Sequence, residues 1–387
     1  MRNFTFVNPT RIIFGRDTIK RLGQEVSREG IKQVLLVYGR GSIFGNGVYE
    51  QVTSSLQVAG ISFEELSGVQ PNPIISKVQK GIYLARGCQA QAVIAIGGGS
   101  VFDSAKAIAA GFYYRGDVWD FFSGQARIKQ ALPIYGVLTV SGTGSEMNST
   151  AVVTREEDRK KWVMVSSHLY PRLSIIDPAV QASLPARDTA QGAVDIITHL
   201  LEVYFDGSQD VDIMKEYIEG LIRTVMKEAV KLLQDAGDYQ ARAQMAWAAT
   251  LALNGSTYPG SRGGDWATHF MEHSLSAFYP VAHGTGLAVL LPAWMRYVYK
   301  NDPQSFERFA EKIFGITAGA GEERIKAGID ALQAFFVSLG IPSRLRDLKV
   351  DEVELEAMAA NALLRGPLGV LQKLNQADVL EIYRQAW

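Results

Sequence analysis

The sequence predicts an α/β domain over residues 1–185 followed by an all-helical domain over residues 186–387. Three observations carry this. The hydrophobic period changes near residue 185, from short β-branched runs alternating with amphipathic stretches to a succession of long helical patterns. A run of glycines directly follows one buried strand pattern in the first half. Four of the five histidines fall together in the second half. A chain of 387 residues is also long for one core, so two domains are the natural expectation.

In the first half, QVLLVYG (33–39), ISFEEL (61–66), QAVIAIGGG (91–99) and PIYGVLTV (133–140) read as strands. Between them, GNGVYEQVTSSLQVAG and NPIISKVQKGIYLARGC have helical spacing, so the strands are expected to be parallel with right-handed crossovers. After DPAVQASLPARD the helical patterns are DTAQGAVDIITHLLEVYF, VDIMKEYIEGLIRTVMKEAVKLLQ, YQARAQMAWAATLALNG, WATHFMEHSLSAF, ERFAEKIFG and IKAGIDALQAFFVSLG. Pro280 stops the histidine-bearing WATHFMEHSLSAF helix before His283.

Composition excludes several classes. Lys plus Arg is 39 against 40 for Asp plus Glu, which leaves no surplus positive charge to neutralise a nucleic acid. The single Cys88 forms no intrachain disulfide, and MRNFTFVNPTRIIFG lacks the basic-then-apolar layout of a secretory signal, so a reducing cytoplasm is expected. Apolar stretches such as GLAVLLPAWM are broken well short of a membrane span.

The histidine cluster points to a metal. Asp195 and His199 lie four residues apart, on one face of a helix, and can converge on one ion without strain. His269 and His273 share that spacing, and a turn after Pro280 could return His283 to the same centre. Imidazoles with one carboxylate suit Zn or Fe(II) better than Ca or Mg.

A second site is suggested at the strand ends. Gly97, Gly98, Gly99 and Ser100 join a buried strand to a helix, and the exposed amides of that helix start favour an anion. Asp103 falls in its first turn. The motif is not GxGxxG, but a second small-residue loop, LTVSGTGSEMNSTAVV, strengthens the case for a dinucleotide pyrophosphate. The QVLLVYG strand ends in Gly39, Arg40, Gly41 and Ser42, with a guanidinium and a hydroxyl where an NAD site places an acid, so NADP is expected.

With both sites in view, the chain resembles the iron-containing, or group III, alcohol dehydrogenases, in particular their bacterial NADPH-dependent aldehyde reductases and butanol dehydrogenases. The likeness runs through NPTRIIFG, PNP at 71–73, GGGSVFD, TGSE at 143–146, DPAV, the D-xxx-H pair, MAWAATLALNG, GGDWATHFMEHSLSA and the following HG. It implies a dehydroquinate synthase-like fold with the active site in the cleft between domains, and a homodimer. Asp195, His199, His269 and His283 are then the metal ligands, while His273 sits near metal and nicotinamide without being a ligand, against the pairing that helical pitch alone suggests. Gly98, Gly99, Ser100 and Asp103 are implied to hold the pyrophosphate, Asn72, Thr139, Thr143, Asn148 and Lys161 the rest of the cofactor, and Gly39, Arg40, Gly41 and Ser42 the 2′-phosphate. Arg40 departs from the glycine frequent there.

The expected reaction is metal-dependent hydride transfer between NADP(H) and a small primary alcohol or aldehyde, with His273 handling the proton. The alternatives are a glycerol-dehydrogenase-like polyol oxidoreductase of the same fold and a catalytically silent protein that binds metal and nucleotide.

Overall fold

Residues 11–14, 33–38, 62–66, 92–97, 134–138 and 173–176 form one six-stranded sheet, every neighbouring pair of which is parallel. The computed structural model describes residues 1–387. Numbered along the chain, the strands are β1 (Arg11–Phe14), β2 (Gln33–Tyr38), β3 (Ser62–Leu66), β4 (Ala92–Gly97), β5 (Ile134–Leu138), β6 (Thr150–Arg155), β7 (Lys160–Val165) and β8 (Leu173–Ile176). The sheet order is β1-β8-β5-β4-β2-β3, and β6 and β7 make a separate antiparallel hairpin.

A parallel sheet must be covered on both faces, and the apolar runs of β2 and β4 show how. Leu35, Val37, Val93 and Ala95 pack into one core with Val78 and Ile82 of α2 (Ile75–Gly87) and Phe102 and Ile108 of α3 (Gly99–Gly111). Their alternating neighbours Val34, Leu36, Ala92, Ile94 and Ile96 point the other way, onto Val48, Val52 and Leu56 of α1 (Val48–Val58). Period-two alternation therefore fills two cores rather than one. The four strands and three helices expected in this half are present. Strands β1 and β8 and the β6–β7 hairpin are additions to that set.

From Pro185 onward the regular structure is helical. The main helices are α4 (Ala186–Tyr204), α5 (Asp212–Gln234), α6 (Tyr239–Leu253), α7 (Ala267–Phe278), α8 (His283–Val298), α9 (Pro303–Phe314), α10 (Glu322–Ser338), α11 (Leu355–Ala362) and α12 (Gln376–Ala386). The chain divides into two compact units, one of Val7–Leu184 with Ala236–Thr250, the other of Met1–Phe6, Pro185–Asp235 and Leu251–Trp387. Helix α6 is as helical as its sequence suggests, yet most of it belongs with the sheet-bearing unit. Ala246 enters the α2–α3 core, Trp247 meets the ring of Phe14 edge-on, and Thr250 donates to the buried carboxylate of Glu146 at 2.6 Å. Helical periodicity reveals that a segment is a helix, not which core it completes.

No helix is long and apolar enough to cross a membrane.

Candidate metal centre and cofactor cradle

Helix α4 carries Asp195 and His199 one turn apart, with side chains only 6% and 5% exposed. Helix α7 carries His269 and His273, and His283 is the first residue of α8. The extended backbone of Tyr279, just ahead of Pro280, separates α7 from α8. Within this unit three imidazole nitrogens converge on one oxygen. The Nε2 atoms of His199, His269 and His283 stand 3.5, 4.0 and 3.6 Å from Asp195 Oδ1. These spans exceed ordinary hydrogen bonds. Two of them fall in the range of about 3.3–3.6 Å that ligand-to-ligand edges take for metal bonds of about 2.0–2.2 Å in a tetrahedral shell, and the His269 span lies a few tenths of an ångström beyond it. The donor set therefore fits a borderline divalent ion. Burial, with His269 and His283 close by, holds the His199 ring well below its usual pKa, so it stays neutral and able to act as a ligand.

His273 lies elsewhere. Its ring is 5.8 Å from that of His283 and edge-on to Phe270 at 5.9 Å, and it groups with Glu272 and His283 rather than with Asp195. Two carboxylates that the sequence pattern did not single out back the rings of His269 and His283. His269 Nδ1 is 3.1 Å from Glu202 Oε1, and His283 Nδ1 contacts Glu272 Oε2; both glutamates are fully buried. Such carboxylate–histidine pairs fix the tautomer and free Nε2 for a metal. Glu202 also accepts the His269 main-chain N–H at 3.1 Å, which ties the start of α7 to α4. Burial pushes the Glu202 carboxyl up to about 8 against these donors. Its one legible signal is position: Asp195, His199 and Glu202 lie at i, i+4 and i+7 on one helix face.

The glycine after His283 has a packing reason. A Cβ at Gly284 would lie 2.3 Å from the Gln191 carbonyl oxygen on α4, one turn before Asp195. Only glycine lets α8 begin this close to α4. Gly284→Ala should therefore destabilise the fold by about 1–3 kcal/mol, the usual cost of overpacking, and lower metal occupancy as His283 is pushed away. Thermal unfolding with and without metal checks this, and an unchanged midpoint and metal content would contradict it.

The other unit gathers loops at the carboxyl ends of neighbouring strands, where ligands of open α/β sheets bind. Tyr38 pairs with Ile96 and Gly97 with Leu138, so the turns after β2, β4 and β5 leave the sheet side by side. Helix α3 starts at Gly99, with Gly98 as its extended cap and Ser100 in the first turn. A Cβ at Gly99 would strike the Thr143 side chain at 2.4 Å, so this glycine also serves contact between the two loops. Thr139, at the end of β5, donates its N–H to Gly97 O at 3.0 Å. Lys161 on β7 donates to Asn72 Oδ1 at 2.9 Å, which joins the PNP turn to the hairpin. Arg40, Gly41 and Ser42 are exposed, and a Cβ at Gly39 would meet only Val69 O, at 3.6 Å.

Asp103 faces inward. Its oxygens accept from Ser145 Oγ at 2.8 Å and Val152 N–H at 3.1 Å, so it anchors the second loop rather than presenting a carboxylate to an anion. Lys106, which no sequence motif marks, is fully buried and donates to Ser145 Oγ, Asn148 Oδ1 and Thr150 O, each at 2.8 Å. Burial pulls its ammonium down to about 8 despite Asp103 and Glu146 nearby. Together these groups hold Thr143 and Asn148 against α3. A lysine inside SVFDSAKAIAAG reads as an ordinary polar helix residue, so only its complete burial gives it away.

One unit thus gathers a carboxylate and three imidazoles able to hold a divalent ion, and the other a glycine turn at the strand ends where open α/β sheets bind ligands. The chain belongs to the iron-containing alcohol dehydrogenase family: the family description "Iron-containing alcohol dehydrogenase" matches residues 9–178, and that of its C-terminal region matches residues 189–387. It is 44% identical over 389 residues, 99% of both chains, to the probable NADH-dependent butanol dehydrogenase 2 of Bacillus subtilis. It is 36% identical over 361 residues, 92% of both chains, to the NADPH-dependent aldehyde reductase YqhD of Escherichia coli. A crystal structure of NADH-dependent butanol dehydrogenase A from Thermotoga maritima superposes with a TM-score of 0.98 at 50% identity, covering 100% of this chain and 99% of that one. The protein is thus an alcohol or aldehyde dehydrogenase of a family that uses a divalent metal and a nicotinamide nucleotide.

Proposed function

We propose that the protein catalyses NADP(H)-linked interconversion of small aldehydes and primary alcohols at an Fe(II) or Zn(II) centre held by Asp195, His199, His269 and His283. The observation that carries this is the convergence of three Nε2 atoms on Asp195 Oδ1. A bound divalent ion supplies Lewis-acid polarisation of a carbonyl, and a reduced nicotinamide supplies the hydride. The chain's own residues do the rest. Glu202 and Glu272 keep the His269 and His283 rings aimed. His273, beside His283, is placed to pass a proton to the substrate oxygen or to a water. Gly98, Gly99 and Ser100 offer main-chain amides to the pyrophosphate, and Asn72, Thr139, Thr143, Asn148 and Lys161 line the remainder of the cofactor site. Asp103 and Lys106 act as positioning residues for the Thr143–Asn148 loop. An NADPH-oxidation assay across linear aldehydes of increasing length tests the reading; absence of turnover with all of them, by metal-loaded enzyme, would overturn it.

The acid-free turn at Gly39, Arg40, Gly41 and Ser42 supports NADP(H). A second reading, NADH, is favoured by the names of the Bacillus and Thermotoga proteins. The ratio of kcat/KM for the two cofactors decides between them. On the first reading NADPH leads, and Gly39→Asp fits sterically but weakens NADPH use by at least ~10-fold, since ~1.4 kcal/mol of charge repulsion has that effect. Equal use of both cofactors by the native enzyme would contradict it.

A further inference from the structure

The three histidines that meet Asp195 are not supported alike. His269 and His283 each have a buried glutamate at Nδ1, whereas no protein group hydrogen-bonds His199 Nδ1, although that ring is only 5% exposed. No carboxylate braces it. Its ring stacks on that of His269, with centroids 4.7 Å apart and planes 15° from parallel, and the indole of Trp266 closes on both, 6.2 Å from His199 and 5.2 Å from His269.

The local chain is built to aim that indole. Trp266 precedes α7 with φ 64° and ψ 4°, in the left-handed region where a bulky residue is an outlier. Its Nε1–H donates to Gly263 O at 2.7 Å, and the ring lies so close over Gly264 (φ +92°) that a Cβ there would meet Nε1 at 2.5 Å. Tyr258 packs edge-on at 6.4 Å. Fully buried Asp206 accepts the N–H groups of Arg262 at 2.8 Å and Gly264 at 3.2 Å, and Asp265 accepts that of Ala267 at 3.2 Å, which fixes the loop on both sides of the strained residue. An unfavourable backbone conformation this heavily braced is characteristic of a functional constraint.

We propose that Trp266 is a positioning residue of the metal centre, whose indole, packed against the stacked His199 and His269 rings, restrains by contact the one ring that has no glutamate at its Nδ1. This rests on the ligand assignment above. A merely structural tryptophan in a strained backbone and an indole that orients ligands predict different responses to Trp266→Gly, which removes the ring and relieves the positive φ. Three quantities are read on metal-stripped protein titrated with Co(II) alone: the thermal midpoint before metal is added, the Co(II) affinity by chelator competition, and the visible Co(II) spectrum. The expected result is a midpoint at or above that of the native chain, a Co(II) affinity weakened ~10–100-fold, as for other outer-shell partners, and altered Co(II) bands. Trp266→Phe, which keeps a ring, should retain more affinity than Trp266→Gly. Unchanged affinity and spectrum in Trp266→Gly would overturn the proposal; should that variant not fold, Trp266→Asn, which tolerates the left-handed region, is read in the same way. His199→Ala separates this inference from its premise. If His199→Ala binds Co(II) like the native chain, the ligand assignment fails; if His199→Ala loses Co(II) while Trp266→Gly does not, the role of Trp266 alone fails.

Discussion

Replacing Asp195 or His283 by Ala is expected to abolish both bound metal and turnover. Asp195 Oδ1 is the common point of all three Nε2 approaches, so its removal leaves three imidazoles with no anionic partner at their centre. His283 has the most exposed of the three rings, at 24%, yet its Nδ1 is tied to Glu272 and its helix start is locked against α4 by Gly284, so its removal takes away a donor held in a fixed position. The loss should exceed the ~10–100-fold typical of removing an outer-shell partner. NADPH binding should survive, because the glycine turn and the Lys106 network belong to the other compact unit. Metal analysis and equilibrium NADPH titration of the same preparations check this. A variant that kept its metal and its rate would refute the coordination set.

His273→Ala separates a proton-handling residue from a ligand. The ring sits beside His283 and Phe270, not at Asp195, so the variant should keep full metal content. Its kcat should fall by ~10²-fold or more, the range a positioned acid or base contributes, and exogenous imidazole should restore part of it. If metal is lost from His273→Ala and kept by His283→Ala, the helical pair His269 and His273 is the true ligand pair.

These two sets of residues differ in how legible they are in the sequence. The histidine cluster and the Asp195–His199 pitch are visible there because a helix repeats every turn, whatever surrounds it. Pitch alone, however, pairs His269 with His273, whereas it is the Nε2 of His283, the first residue of the next helix, that lies beside Asp195. Which of several same-face residues meets a partner depends on how the helices dock, and that is set here by Gly284 against Gln191. Glu202 shows itself in the sequence only through its pitch with Asp195 and His199, and Glu272 stays hidden because a glutamate in a helical run ordinarily reads as a solvated position, which only burial overturns. Trp266 looks like the first residue of its helix, but it lies outside α7 in a left-handed conformation imposed by the loop.

The fold shows the same division. Strands β2, β4 and β5 are legible as β-branched runs ending in glycine or small residues. Strands β1 and β8, RIIF and LSII, are four residues each, too short for periodicity to register, and gain their identity by pairing with one another and with β5. The β6–β7 hairpin is hidden by its charged EEDRK connection and half-polar strands. Asp103 carries the right motif, but the structure turns its carboxylate into a brace for the second loop.

The most direct test of the metal centre is an anomalous-difference map, at the absorption edge of the metal found, from crystals of anaerobically purified protein. The expected result is one strong peak per chain within about 2.0–2.2 Å of the Nε2 atoms of His199, His269 and His283 and of a carboxylate oxygen of Asp195. A peak bound instead by Glu272, His273 and His283, the second group of potential donors in this unit, would contradict it.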